Sequence, residues 1–192
     1  SYYSVRDYCA VAPCLGTMED FDAFVAEAHR LGRKVLLEWV ANHTARDARW
    51  VTEKPASWYE RDASGAPAVP WDWTDTAKLN YAEREVWRAQ GDAMEFWVRE
   101  HGVDGFRCDM AMMVPIEFWN ETAQRLRRVK PDLFMLAEAE ETYLFDGGAF
   151  DACYAWEMHH LMNDVAQQRV RVTSLRDYIY ADRRRYPRSA MR

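Results

Sequence analysis

The run Gly102-Val103-Asp104-Gly105-Phe106-Arg107-Cys108-Asp109 decides how this chain is read, and Leu133-Phe134-Met135-Leu136-Ala137-Glu138 is its counterpart one helix later. Each is a short apolar segment that ends on a carboxylate. Between them, Pro115 opens a stretch with Phe118, Trp119, Thr122, Leu126 and Val129 at helical spacing, and Pro131 follows it. This strand–helix–strand order predicts two neighbouring parallel strands that aim Asp109 and Glu138 at the same rim. Side chains alternate along a strand. With Phe106 and Cys108 turned to the helices, Arg107 and Asp109 face the other side together.

Working outward, the same winding continues. Thr17 to Leu31 predicts a helix capped by Thr17 with Asp20 and stopped at Gly32. Lys34 to Val40 is a near-continuous apolar run, as expected of a parallel strand covered on both faces. Residues 44–81 are irregular and rich in Trp, Pro, Asp and Gly. A helix follows over about 82–101. Phe150 to Trp156 suggests a fourth strand, with helices at about 157–168 and 173–185. No glycine-rich phosphate fingerprint follows any strand, which argues against a nucleotide-binding open sheet. The expected class is therefore α/β, a partial (β/α)8 barrel holding roughly strands three to six of a fold that takes eight strands. Residues 1–192 are read as one such partial barrel, with 44–81 as a short protruding loop domain.

Composition narrows the function. The 192-residue chain has a formal net charge of −6, which argues against nucleic acid as a partner. It has no apolar run of ~18 residues, so no membrane span is expected. Cys9, Cys14, Cys108 and Cys153 show neither zinc nor disulfide spacing and read as free thiols, buried or half-buried. Many of the aromatic residues fall in loop-like sequence, among them Trp50, Trp58, Trp71 and Trp73, where both core packing and stacking on sugar rings are open readings. The chain begins at Ser1 without Met, so a leader can precede it and its compartment stays open.

Two acids on one rim are what glycosidic bond cleavage needs. Arg107 would keep Asp109 ionised, as a nucleophile must be. Partial burial of Glu138 beside Ala137 and Ala139 would suit a general acid. Plain alternatives exist: an Arg107–Asp109 ion pair, and a solvated turn at Glu138, Glu140 and Glu141. A magnesium site of Glu38, Asp109 and Glu138 is a further reading, disfavoured because the strands carry no suitable basic partner. His43, after the 34–40 strand, would lie on the same rim as a substrate-binding residue.

These residues resemble the catalytic barrel of the alpha-amylase family, glycoside hydrolase family 13. Leu37-Glu38-Trp39-Val40-Ala41-Asn42-His43, Gly105-Phe106-Arg107-Cys108-Asp109 and Leu136-Ala137-Glu138 resemble three of its signature regions in order, and Tyr3-Ser4-Val5-Arg6-Asp7-Tyr8 resembles the stretch after barrel strand two. The resemblance implies a retaining glycoside hydrolase acting on α-1,4-glucans or maltooligosaccharides by double displacement. Asp109 would be the nucleophile and Glu138 the general acid/base. Arg107, His43 and Tyr3 would bind substrate, with Arg107 orienting Asp109, His43 hydrogen-bonding the sugar and Tyr3 stacking under it. The alternatives within the resemblance are glucan or maltosyl transfer, phosphorolysis, and a non-catalytic carbohydrate-binding relative. No cofactor is expected: Asn42 matches a residue that often binds calcium in the family, but the short 44–81 segment argues against a metal. Two departures stand out. Glu38 occupies a position where the family usually has aspartate. The family's Asn-His-Asp region, with its third acid, is absent, so this polypeptide by itself is expected to be inactive.

Overall fold

The computed structural model describes residues 1–192. Helix α1 (Met18–Arg30) starts where Thr17 and Asp20 cap each other's backbone. It ends where Gly32, at φ +68°, reverses the chain, with Gly32 N–H and Arg33 N–H returning to the carbonyls of His29 and Ala28. The remaining elements are β1 (Leu36–Trp39), β2 (His43–Ala45), α2 (Arg49–Glu53), β3 (Thr76–Lys78), α3 (Arg84–His101), β4 (Gly105–Cys108), α4 (Ile116–Val129), β5 (Phe134–Ala137), β6 (Ala152–Cys153), α5 (Trp156–Ala166) and α6 (Thr173–Arg185).

Strands β1, β4, β5 and β6 form one parallel sheet in that order. Their order across the sheet follows their order in the chain, without the reversal that marks a doubly wound sheet. Beyond β6, Met191 makes a parallel bridge to Ala152, so the winding continues in the same sense. This is the strand arrangement of a partial (β/α)8 barrel.

The helix-facing side of the sheet is the core. Trp39, Phe106, Cys108, Met135 and Ala137 pack there with Met94, Trp97, Phe118, Trp119 and Leu126 from α3 and α4. The opposite side is concave and only partly covered. Leu36, Gly105 and Phe134 are in register across it, followed by Glu38, Arg107 and Leu136. Leu36 is 37% exposed, so the inner side of β1 is only partly covered, where a strand covered on both faces was expected. Gly105 is required in this row. A Cβ there would sit 1.9 Å from the Phe134 carbonyl oxygen and 2.9 Å from Leu36 Cδ2.

The far end of β4 is locked by Asp104. Its buried carboxylate accepts from Val35 N–H at 2.8 Å and meets His29 Nε2 at 2.7 Å, Lys130 at 3.0 Å and Lys34 at 3.2 Å. Burial opposes its charge, but these donors together hold the carboxyl far below the usual range.

Residues 44–81 carry more structure than their composition suggests. β2 and β3 pair antiparallel, and Trp58, Tyr59, Ala77 and Leu79 form a small core with Val86 of α3. Of the thiols, Cys108 and Cys153 are buried, whereas Cys9 and Cys14 are exposed, against expectation. No helix is long and apolar enough to cross a membrane.

Candidate active site

The parallel register aligns Trp39, Cys108, Ala137 and Cys153. The residues just beyond this row are Val40, Asp109, Glu138 and Tyr154. Asp109 N–H donates to Trp39 carbonyl and Glu138 N–H to Cys108 carbonyl, each at 2.9 Å, so the ladder holds both acids at adjacent strand ends. Behind them, Arg107 is in register with Glu38 and shares a face with Asp109.

The Arg107 guanidinium joins this site together. One terminal nitrogen pairs with both Glu38 and Asp109 Oδ1, the latter at 3.0 Å. The other reaches Glu138 Oε1 at 2.8 Å. Nε donates to the Tyr154 hydroxyl at 3.0 Å. The second Glu138 oxygen accepts Met110 N–H at 3.0 Å. Met110 adopts φ +42°, a left-handed conformation uncommon for a side-chain-bearing residue, which turns the chain sharply after Asp109.

The electrostatics differ from the sequence expectation. Asp109 is 7% exposed. Its burial, together with a hydrogen bond to Glu138 and that residue's charge, outweighs Arg107 and pushes the Asp109 carboxyl up to about 6. Arg107 pulls the Asp109 carboxyl down but only partly offsets these, and the group ionises above about pH 6. Burial also raises Glu38, against the pull of Arg107.

The structure brings Tyr3 to the same mouth. Its phenol is pushed up by the Glu38 charge and by burial, and it senses Arg107, Asp109 and Glu138 as well. His43 lies on β2 and is 2% exposed. Its Nδ1 is 3.2 Å from Asn42 Nδ2. Burial lowers its pKa, opposed by a hydrogen bond with the Tyr3 backbone and by Asp75. Glu38, Asp109 and Glu138 converge on the Arg107 guanidinium, and no three His, Cys, Asp or Glu side chains are arranged to hold a metal ion.

Sequence reasoning missed Tyr154 and the Met110 N–H. Tyr154 had a signal, since it follows its strand just as Asp109 and Glu138 follow theirs. The Met110 donor had none, because any residue supplies an N–H. Tyr8 was also missed: its hydroxyl lies 2.7 Å from the Val40 carbonyl and 2.9 Å from that of His43, and it shapes the chain between β1 and β2.

A sequence profile described as the alpha amylase catalytic domain matches residues 1–74 and 58–188, nearly the whole chain. The chain belongs to the alpha-amylase family. Alpha-amylase MalA of Haloarcula japonica is 34% identical over 158 residues, covering 78% of this chain and 23% of that protein. The crystal structure of an alpha-amylase from Lactobacillus plantarum superposes with a TM-score of 0.90 at 32% identity, covering 97% of this chain and 47% of that one. The maltogenic alpha-amylase AmyB of Thermotoga neapolitana gives 0.89 at 33% identity, over 100% of this chain and 45% of its own. The chain thus spans less than half the length of these relatives.

Proposed function

We propose that this chain carries the nucleophile and the general acid/base of a retaining glycosidase that cleaves α-1,4-glucans or maltooligosaccharides. The observation that carries this reading is the closeness of the two carboxyls. Asp109 and Glu138 contact the two terminal nitrogens of one guanidinium, Oδ1 at 3.0 Å and Oε1 at 2.8 Å. An inverting enzyme holds its acids ~6.5–9.5 Å apart to lodge a water, whereas a retaining one needs only ~5–5.5 Å.

In this reading Asp109 attacks the anomeric carbon while Glu138 protonates the departing glycosidic oxygen. Glu138 then deprotonates a water that hydrolyses the glycosyl-enzyme ester. The chemistry needs one proton on the pair. Two coupled carboxyls, one of them raised to about 6, retain a shared proton near that pH. Productive binding then places that proton on Glu138, with the glycosidic oxygen displacing the Met110 N–H from Oε2. Arg107 keeps both acids oriented, and Tyr3 offers a ring at the mouth.

The test uses the protein that carries this chain. Asp109→Asn is expected to reduce maltooligosaccharide turnover by on the order of 10³-fold or more, and Glu138→Gln by ~10²–10⁴-fold. An aryl α-glucoside, whose leaving group needs no proton, should rescue Glu138→Gln and not Asp109→Asn. NMR of the first-formed sugar should show the α-anomer. Undiminished turnover in Asp109→Asn, or a β-anomeric product, would defeat the proposal.

A further inference from the structure

We propose that Trp71 is the platform of an outer sugar-binding subsite, which takes a glucan unit beyond those at the acid pair. The inference rests on the reading above for its substrate class.

Trp71 is 63% exposed, unlike Trp58 and Trp39, which are buried. Its backbone sits at φ +52°. A bulky residue in the left-handed region is strained and is held there by its surroundings. The hold is visible. Trp71 meets Trp73 nearly edge-on, with centroids 4.6 Å apart and planes at 84°. Trp73 in turn packs on the buried His43 ring at 5.2 Å. The same loop is tied to the Tyr3 segment by the Ser4 hydroxyl, which reaches Asp75 Oδ2 at 2.6 Å and the Asp75 carbonyl at 3.0 Å.

A chain of ring contacts therefore leads away from the Tyr3 segment, to which Ser4 and Asp75 tie this loop. It continues through His43 and Trp73 and ends at the open Trp71 ring. Trp73, itself packed on His43, braces the Trp71 ring at near right angles. A large flat apolar ring beside a polar cleft suits the C–H face of a pyranose, with the sugar hydroxyls left in water. Its position at the outer end of the path implies selectivity for long chains over short ones.

The experiment measures binding of maltotriose and maltoheptaose by calorimetry to the protein carrying this chain, with Asp109→Asn as the parent to prevent turnover. Trp71→Ala is expected to raise the maltoheptaose Kd about tenfold and to leave the maltotriose Kd within twofold. Trp71→Gly, which suits the left-handed backbone, should match Trp71→Ala, and Trp71→Phe should retain most of the affinity. Circular dichroism confirms that each variant is folded. A maltoheptaose Kd unchanged by Trp71→Ala, an equal loss for both oligomers, or a parent that fails to bind maltoheptaose would each overturn the subsite. Turnover retained in the Asp109→Asn parent would instead defeat the nucleophile assignment, with the length-dependent Trp71 effect still standing.

Discussion

Three carboxylates share one guanidinium at the Arg107 site, and the consequences are testable residue by residue. Asp109 has a folded-state pKa of about 6 against an ordinary value of 3.8. The folded state therefore binds more protons than the unfolded one between these values, and stability falls as pH rises through that window. Above it the penalty is complete, at most about 3 kcal/mol. Asp109→Asn should remove this penalty and raise the melting temperature at pH 7 while abolishing turnover. In the parent protein, on the proposed mechanism, activity should fall as pH rises above about 6, because the pair then loses the one proton the chemistry needs. Glu38 competes with Asp109 for the same Arg107 nitrogen. Glu38→Gln should free that nitrogen for Asp109 and move the basic limb of the kcat/KM profile to lower pH. An unmoved limb would show that Glu38 has no hold on the pair.

Strand β4 is the element on which stability and chemistry meet, with an acid beyond each end. Asp104 at the start is satisfied by four donors and held well below the usual carboxylate range. Its contribution is present above pH 4 and is lost as acidification protonates it, the opposite sign to Asp109. Asp104→Asn should destabilise the fold by about 2–3 kcal/mol in urea titrations, because an amide offers one acceptor oxygen where the carboxylate serves four donors. The strand itself is pinned by Gly105. Gly105→Ala would force its methyl into the Phe134 carbonyl, a backbone atom that cannot rotate away. A loss of about 3 kcal/mol or more is expected, with the Asp109–Glu138 spacing disturbed as β4 and β5 separate.

At the scale of the whole molecule, the sheet has one packed face and one open one. Leu36 lies on the edge strand β1, with Phe134 and Leu136 half-buried on the same concave side. An unpaired parallel edge flanked by apolar side chains invites association. The 192-residue polypeptide, produced alone, should self-associate in sedimentation experiments at micromolar concentration. Leu36→Lys should shift it toward monomer. Equal sedimentation of the two proteins would show that this edge is not the sticky surface.

Local sequence was enough for the winding and for the acid pair. Thr17 and Asp20 mark a helix start wherever they occur before an apolar stripe, and α1 begins there. The alternation Phe106, Arg107, Cys108, Asp109 has only one arrangement that buries the apolar pair, so the shared face of Arg107 and Asp109 is legible in the sequence alone. What the sequence could not supply was the balance of charge. The pKa of Asp109 depends on how deeply its carboxyl is buried, how near Glu138 comes and how many partners divide Arg107, and these are distances between segments far apart in the chain. The same holds for Tyr154, which enters the site only because β6 lies beside β5, and for the hairpin of β2 and β3, whose three-residue strands have too little periodicity to read. The Trp residues make the point most simply. Side-chain chemistry is identical at Trp58 and Trp71, and only packing makes one a core residue and leaves the other facing water.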